Sequence, residues 1–244
     1  LPMFTKTSFR AVPLLAGLLL LIGCSSLLGN FVTGSGNPVT QEFDFSDFNE
    51  VSIENAFVGT ITRGDDYRVV VTVDDNLVDR LKVEQNGNRV TIGFNEATAV
   101  TNADLTYEIT LPALSGLGVS GASQAQIAGF TGDDELNIEA SGASRVEGDI
   151  SSGDADLRAT GASTVRLIGA GANLSGEASG ASTLDLTDFV TADADVTASG
   201  ASHIIVNTTG RLDAEASGAS NVDYLGQPTL GNISASGGSN VNPQ

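Results

Sequence analysis

At 244 residues, with 11 Lys plus Arg against 30 Asp plus Glu, the chain carries a formal charge of −19. This argues against nucleic acid, whose phosphates need clustered cations, and against electrostatic attraction to anionic lipid. Aromatics make up 5% with no Trp, and 29 Gly stand against 6 Pro, so a thin aliphatic interior and many tight turns are expected.

Residues 1–23 read as a lipoprotein signal peptide. Lys6 and Arg10 give a basic start, and residues 11–22 form an apolar run too short to span a bilayer as a stable helix. The run ends in Leu21-Ile22-Gly23-Cys24, which resembles the bacterial lipobox. Cys24 is the one cysteine, so no internal disulfide can form, and it is the expected site of lipidation and membrane attachment. Cleavage before it removes Lys6 and Arg10 and leaves −19 − 2 = −21. Ser25, by resemblance to Gram-negative lipoproteins, suits sorting to the outer membrane. Met3 reads as the natural start, with Leu1 and Pro2 an upstream extension. Residues 24–40 carry Ser, Gly, Asn and Pro without periodicity and read as a flexible tether.

Residues 41–115 are strand-rich but irregular. Candidate strands fall at 51–53, 58–61, 68–73, 81–84, 90–94 and 105–111, each alternating or β-branched. Asn86-Gly87 is a hairpin turn signal, and 74–80 is the one short helical turn expected in the mature chain. These strands form either irregular first coils or a cap over the end of a solenoid, because an open solenoid end is an unpaired edge.

From residue 116 one phrase recurs seven times, as Ser-Gly-Ala-Ser at 120, 141, 179, 199 and 217, Thr-Gly-Ala-Ser at 160 and Ser-Gly-Gly-Ser at 236. Successive copies begin 21, 19, 19, 20, 18 and 19 residues apart. Around each copy every second residue is apolar or small, as in Leu157, Ala159, Gly161, Ser163, Val165 and Leu167. That is the strand period, and no helical stripe persists for two turns. Strand repeats near 20 residues in constant register predict an all-β fold, a parallel β-helix whose coils bury their apolar face by stacking. The glycines Gly121, Gly142, Gly161, Gly180, Gly200, Gly218 and Gly237 then form a structural ladder in the inward row.

Stacking predicts charge ladders as well. Three residues before successive glycines stand Glu139, Arg158 and Glu177; five residues after them stand Glu147, Arg166 and Asp185. In each outward column an Arg lies between two acids on neighbouring coils, about 4.8 Å away. Arg158 should meet Glu139 or Glu177, and Arg166 should meet Glu147 or Asp185. Exposed pairs of this kind are worth about 0.2–1 kcal/mol, enough to tune register but not to drive folding. The hydroxyl column before each glycine, with Ala or Gly after it, makes a narrow, flat, weakly polar strip.

Catalytic chemistry finds little purchase. No copy of the phrase has the second Gly of a nucleophile elbow, and its last serine points inward, where a stacked hydroxyl ladder is expected. His203, the one histidine, has outward parity and reads as a plain surface residue. Carboxylate pairs such as Asp193/Asp195 and Asp213/Glu215 lack an aromatic sugar platform. The Gly-Gly-x-Gly-x-Asp tandem of calcium-binding solenoids is missing, so Asp65-Asp66 and Asp133-Asp134 are at most adventitious ligands. No cofactor and no metal site are expected.

Phe43-Asp44-Phe45-Ser46-Asp47-Phe48, Thr60-Ile61-Thr62-Arg63-Gly64-Asp65, Asp74-Asp75-Asn76-Leu77, Thr110-Leu111-Pro112-Ala113-Leu114 and the Ser-Gly-Ala-Ser array together resemble the head GIN domain family. The family is described as autotransporter-adhesin heads, and the likeness covers 41–244. It implies a right-handed β-helix, lipid-anchored or exported, with no catalytic residue to carry over. The expected protein is a non-catalytic envelope module for adhesion or scaffolding, with an unidentified protein or glycan partner. The alternative is an envelope enzyme that acts on polysaccharide through acidic residues on one solenoid face.

Overall fold

The structure is a computed structural model that describes residues 31–95 and 99–244. The signal segment 1–23, Cys24 and the first part of the expected tether lie outside the described residues. Each coil contributes one strand to each of two facing sheets. Glu50–Ile53, Gly116–Val119, Leu136–Ala140, Ala155–Ala159, Asn173–Ala178, Asp193–Ala198, Arg211–Ala216 and Thr229–Ala235 run parallel in one sheet. Val58–Arg63, Gln124–Thr131, Arg145–Ser151, Thr164–Ala170, Thr183–Thr191, His203–Thr208, Asn221–Leu225 and Asn240–Pro243 run parallel in the other.

The strand alternation of the sequence becomes vertical columns in the core. One runs Val51, Leu117, Ile138, Leu157, Gly176, Val196 and Ala214. Its counterpart in the facing sheet runs Ala125, Val146, Val165, Leu184, Ile204 and Val222. All the side chains in these columns are buried. Burying one such aliphatic side chain is worth roughly 1.5–3 kcal/mol, so the columns carry the fold's stability and hold coil on coil.

The cap is less regular, and its order in space departs from its order in sequence. The coil of Glu50–Ile53 and Val58–Arg63 stacks directly on Gly116–Val119 and Gln124–Thr131. The later strands Arg89–Phe94 and Thr106–Leu111 stack on the opposite side of it, again in parallel. Three antiparallel strands then close that end. Leu81–Asn86 folds back on Arg89–Phe94 through Gly87, Arg68–Asp74 lies against Thr106–Leu111, and Pro38–Phe43 against Arg68–Asp74. The 3₁₀ helix Asp75–Arg80, expected from sequence as a helical turn at 74–80, drives Leu77 into the core. Phe48 packs on Tyr67 and Phe57 on Phe94, with ring centroids 5.1 and 5.4 Å apart.

Residues 31–40 differ from the expected tether. Phe31–Thr33 pairs parallel with Ala99–Thr101, and Pro38–Phe43 is a sheet strand. The loop between them is tied down by the 74–76 turn. Gly36 N donates to Asp74 at 3.2 Å, Ser35 N to Asn76 Oδ1 at 3.1 Å, and Asn76 Nδ2 to the Thr33 carbonyl at 2.9 Å. The reason is non-local: Arg68–Asp74 would otherwise be a bare edge, and the preceding chain supplies its missing neighbour.

Candidate functional site

The recurring phrase is the turn that carries the chain from one sheet to the other. Its glycines adopt left-handed φ, from +65° at Gly121 to +78° at Gly180 and Gly218. They stand exposed on the outside of the corner and not in the inward row, because the chain turns where the sequence alternation runs straight through. The following N–H donates to the glycine carbonyl one coil away, as Ala181 N does to Gly161 O at 2.7 Å. A Cβ at Gly161 would lie 2.6 Å from Gly142 O, so conformation and close approach both demand glycine.

The last serine of each phrase is buried in the corner, except for the more exposed Ser239 of the final coil. Its hydroxyl donates three residues back, for example Ser144 Oγ to the Ser141 carbonyl at 2.8 Å. From Ser182 onward the same hydroxyl also reaches a carbonyl of the coil below, as Ser202 Oγ does to Ala178 O at 3.0 Å. These hydroxyls therefore satisfy backbone acceptors and do not chain to one another.

One further corner escaped the sequence reading. Asn55 and Ala56 hold φ of +62° and +65°, and Ala56 N donates to Gly121 O at 2.9 Å. Glu54-Asn55-Ala56-Phe57 is thus the same turn without its serine or glycine. The available signal was Asn, which tolerates the left-handed region better than most residues.

On the outer faces the aligned columns are Glu139, Arg158, Glu177, Thr197 and Glu215, and Glu147, Arg166 and Asp185. Arg158 turns to Glu177 at 2.7 Å. Arg166 leans to Asp185 at 3.6 Å and Asp188 at 3.5 Å, while Glu147 takes Arg145 of its own strand at 3.0 Å. His203 is not a bare surface residue, since its Nε2 lies 2.8 Å from Asp223 Oδ2 on the next coil. Sequence reasoning also missed Arg89–Glu50 at 2.6 Å and Arg211–Asp213. The hydrogen bond from Asn88, with the bond and charge of Arg89, holds the Glu50 carboxyl below its ordinary range against partial burial. Arg211, aided by the Asn232 N–H, does the same for Asp213. Burial pushes the Tyr107 hydroxyl up, and it donates to the Gln124 carbonyl at 3.0 Å.

The outer face of the first sheet carries a shallow trough of about 300 Å³ over Gly116 and Gly118. Glu50, Arg89, Asn137 and Glu139 wall it. A Cβ at Gly116 would meet the Glu50 side chain at 2.9 Å, so the missing side chain there makes the hollow. Such a trough can hydrogen-bond a polar group at the surface but does not enclose a substrate. Among the described residues no group of three or more His, Cys, Asp or Glu stands placed to hold a metal ion.

The family profile described as "Putative auto-transporter adhesin, head GIN domain" matches residues 47–228. The chain belongs to the head GIN domain family. Among solved structures it is similar to a "putative adhesin" from Bacteroides fragilis, at 20% identity and a TM-score of 0.79, covering 87% of this chain and 100% of that one. A "putative lipid binding protein" from Parabacteroides distasonis gives 21% and 0.71, covering 88% and 99%. A "putative adhesin" from Parabacteroides merdae gives 15% and 0.67, covering 88% and 100%. These likenesses establish a shared β-solenoid fold. No curated protein matches the chain. As a GIN domain, it is an adhesin-like protein of the bacterial cell envelope or surface.

Proposed function

We propose that this GIN domain is a non-catalytic, lipid-anchored module that presents a rigid rod for adhesion or scaffolding at the envelope, with Cys24 as its anchor. The observation that carries this reading is the use of the repeated residues. Glycines, serines and apolar columns are spent on corners and core, and the outer faces are ladders with open hollows, such as the one over Gly116 and another of about 390 Å³ walled by Asp195, Asp213 and Glu215. Carboxylates stand at ladder spacing with Arg158 and Arg211 beside them, an arrangement that supports docking over polysaccharide cleavage. Entry of the chain at the capped end, where Phe31–Thr33 joins Ala99–Thr101, would set the cap nearest the membrane and the last coil farthest from it. The test is fatty-acid labelling of cells that express the full chain, with Cys24→Ser beside it, followed by a glycan array and an envelope pull-down. The expected result is label lost in the variant and a binding partner captured. Label retained in Cys24→Ser refutes the anchor, and polysaccharide degradation by the purified chain refutes the non-catalytic reading.

A further inference from the structure

Three short turns, 33–37, 74–76 and 101–104, cross on the outside of the cap. Gly34 N donates to the Thr101 carbonyl and Asp75 N to the Asn37 carbonyl, each at 2.9 Å, and Ser35 Oγ donates to Asp75 Oδ1 at 2.5 Å. Asp74 is aimed into this crossing. It follows the inward Val73 and so has outward parity on its strand, yet it is fully buried. Its Oδ2 accepts from Gly36 N at 3.2 Å. Its Oδ1 accepts from nothing, and among the described residues it is the one buried side-chain oxygen or nitrogen without a partner. A carboxylate oxygen taken out of water with no donor opposes folding, and native structures seldom leave one so.

The neighbouring atoms deepen the deficit. A Cβ at Gly34 would run into both Asp74 Oδ2 and the Asn102 carbonyl oxygen, so carboxylate and carbonyl close on one point that only a glycine leaves free. Among the described residues that carbonyl accepts no backbone hydrogen bond. Asp75 and Asp104 add negative charge on the same turns. None of the three acids pairs with a Lys or Arg of the described residues. Acceptors gathered without a donor, in a field of one sign, match the needs of a cation.

We propose that Asp74 and the Asn102 carbonyl bind a calcium ion, which pins segment 33–37 to the cap. Every atom offered is oxygen, which selects a hard cation. Irregular turns that present a backbone carbonyl suit calcium, which accepts about six to eight oxygens in loose geometry, over magnesium, which demands an octahedron and keeps its waters. Water and Asp75, which stands at the rim beside Ser35, would complete the shell. One buried carboxylate with mainly neutral partners is not a cluster of three acids, which is why a search for such clusters passes it by. So low a ligand charge sets a dissociation constant of about 10⁻⁴–10⁻³ M, the range of extracellular calcium modules.

The test is calorimetric titration of the full chain in mild detergent, stripped with EDTA and held at fixed ionic strength, with calcium and magnesium in parallel. One calcium site per chain is expected, and calcium at ten times the midpoint should raise the unfolding temperature by about 3–6 °C. Calcium, and not magnesium, should also slow proteolysis within 33–37, a readout that needs no variant. Asp74→Asn keeps the shape, removes the charge and should weaken calcium binding at least about ten-fold. Asp133→Asn, on another acidic turn, should leave it unchanged. If Asp74→Asn does not fold, Gly34→Ala, which keeps the carboxylate and fills the crossing, should show the same loss. The absence of a saturable site, an equal response to magnesium, protection outside 33–37 only, or binding that survives Asp74→Asn each overturns the inference. None of these readouts depends on lipidation at Cys24, so this inference and the proposed function fail separately.

Discussion

The capped end and the open end bury the same kind of column by different means. At the cap, Leu77 of the 3₁₀ helix, Phe48 and Phe57 of the loops, and Phe94 and Tyr107 of the strands close the core with large side chains. At the last coil the columns run on as Leu230 and Ile233, which are exposed, and Val241, which is half-buried. A solenoid's core is thus made by stacking along its length, but at its ends it has to be made by something else. Here one end is finished by side chains of the cap, and the other shows its column at the surface.

The largest expected effect tests that difference directly. Leu77→Ala, at a fully buried position, should cost about 2–5 kcal/mol in denaturant unfolding, whereas Leu230→Ala, at a half-exposed one, should cost under about 1 kcal/mol. Equal costs would mean that the last coil is covered in the isolated chain. Next comes the corner. Gly161→Ala meets both a φ of +76° and a neighbouring carbonyl, and should cost about 1–3 kcal/mol. Gly87→Ala in the cap hairpin has φ of +62° and nothing within 4 Å, so it should cost only about 1 kcal/mol in the same assay.

Ser202→Ala removes a buried hydroxyl that reaches two carbonyls and should cost about 1 kcal/mol, measured by thermal unfolding. Smaller still is Arg158→Gln, expected at about 0.2–1 kcal/mol and fading in high salt. The smallest effect concerns Glu50. Its folded pKa lies below the unfolded value, so its contribution is present above the unfolded pKa and is lost as pH falls through the lowered one. Glu50→Gln should therefore flatten the acid limb of stability below about pH 4 and leave the neutral limb parallel to wild type.

How much of this was legible beforehand differs along the chain. The repeat period set the phrases one coil apart and aligned the apolar columns, because each coil answers the same local demand, but it put the glycines in the inward row, where the structure has them outside the corner. The Arg158 and Arg166 columns came from the same register. The phrase itself, however, reads as uninterrupted alternation, and only a left-handed φ reveals the turn. His203 and Asp223 lie 20 residues apart, and Arg89 and Glu50 39 apart, so nothing local joins them.

The sequence by itself determined that strands of one length repeat in one register, since period-two apolarity, glycine at the corner and a serine cap act within a few residues of one another. Only the tertiary structure decided that 89–111 lies outside 50–63, that Asn55 makes a corner without glycine, and that 31–33 and 38–40 pair as strands where a tether was expected. Those outcomes depend on which unpaired edge finds which distant strand, a choice made by burial and hydrogen bonding between segments and not by any one of them alone.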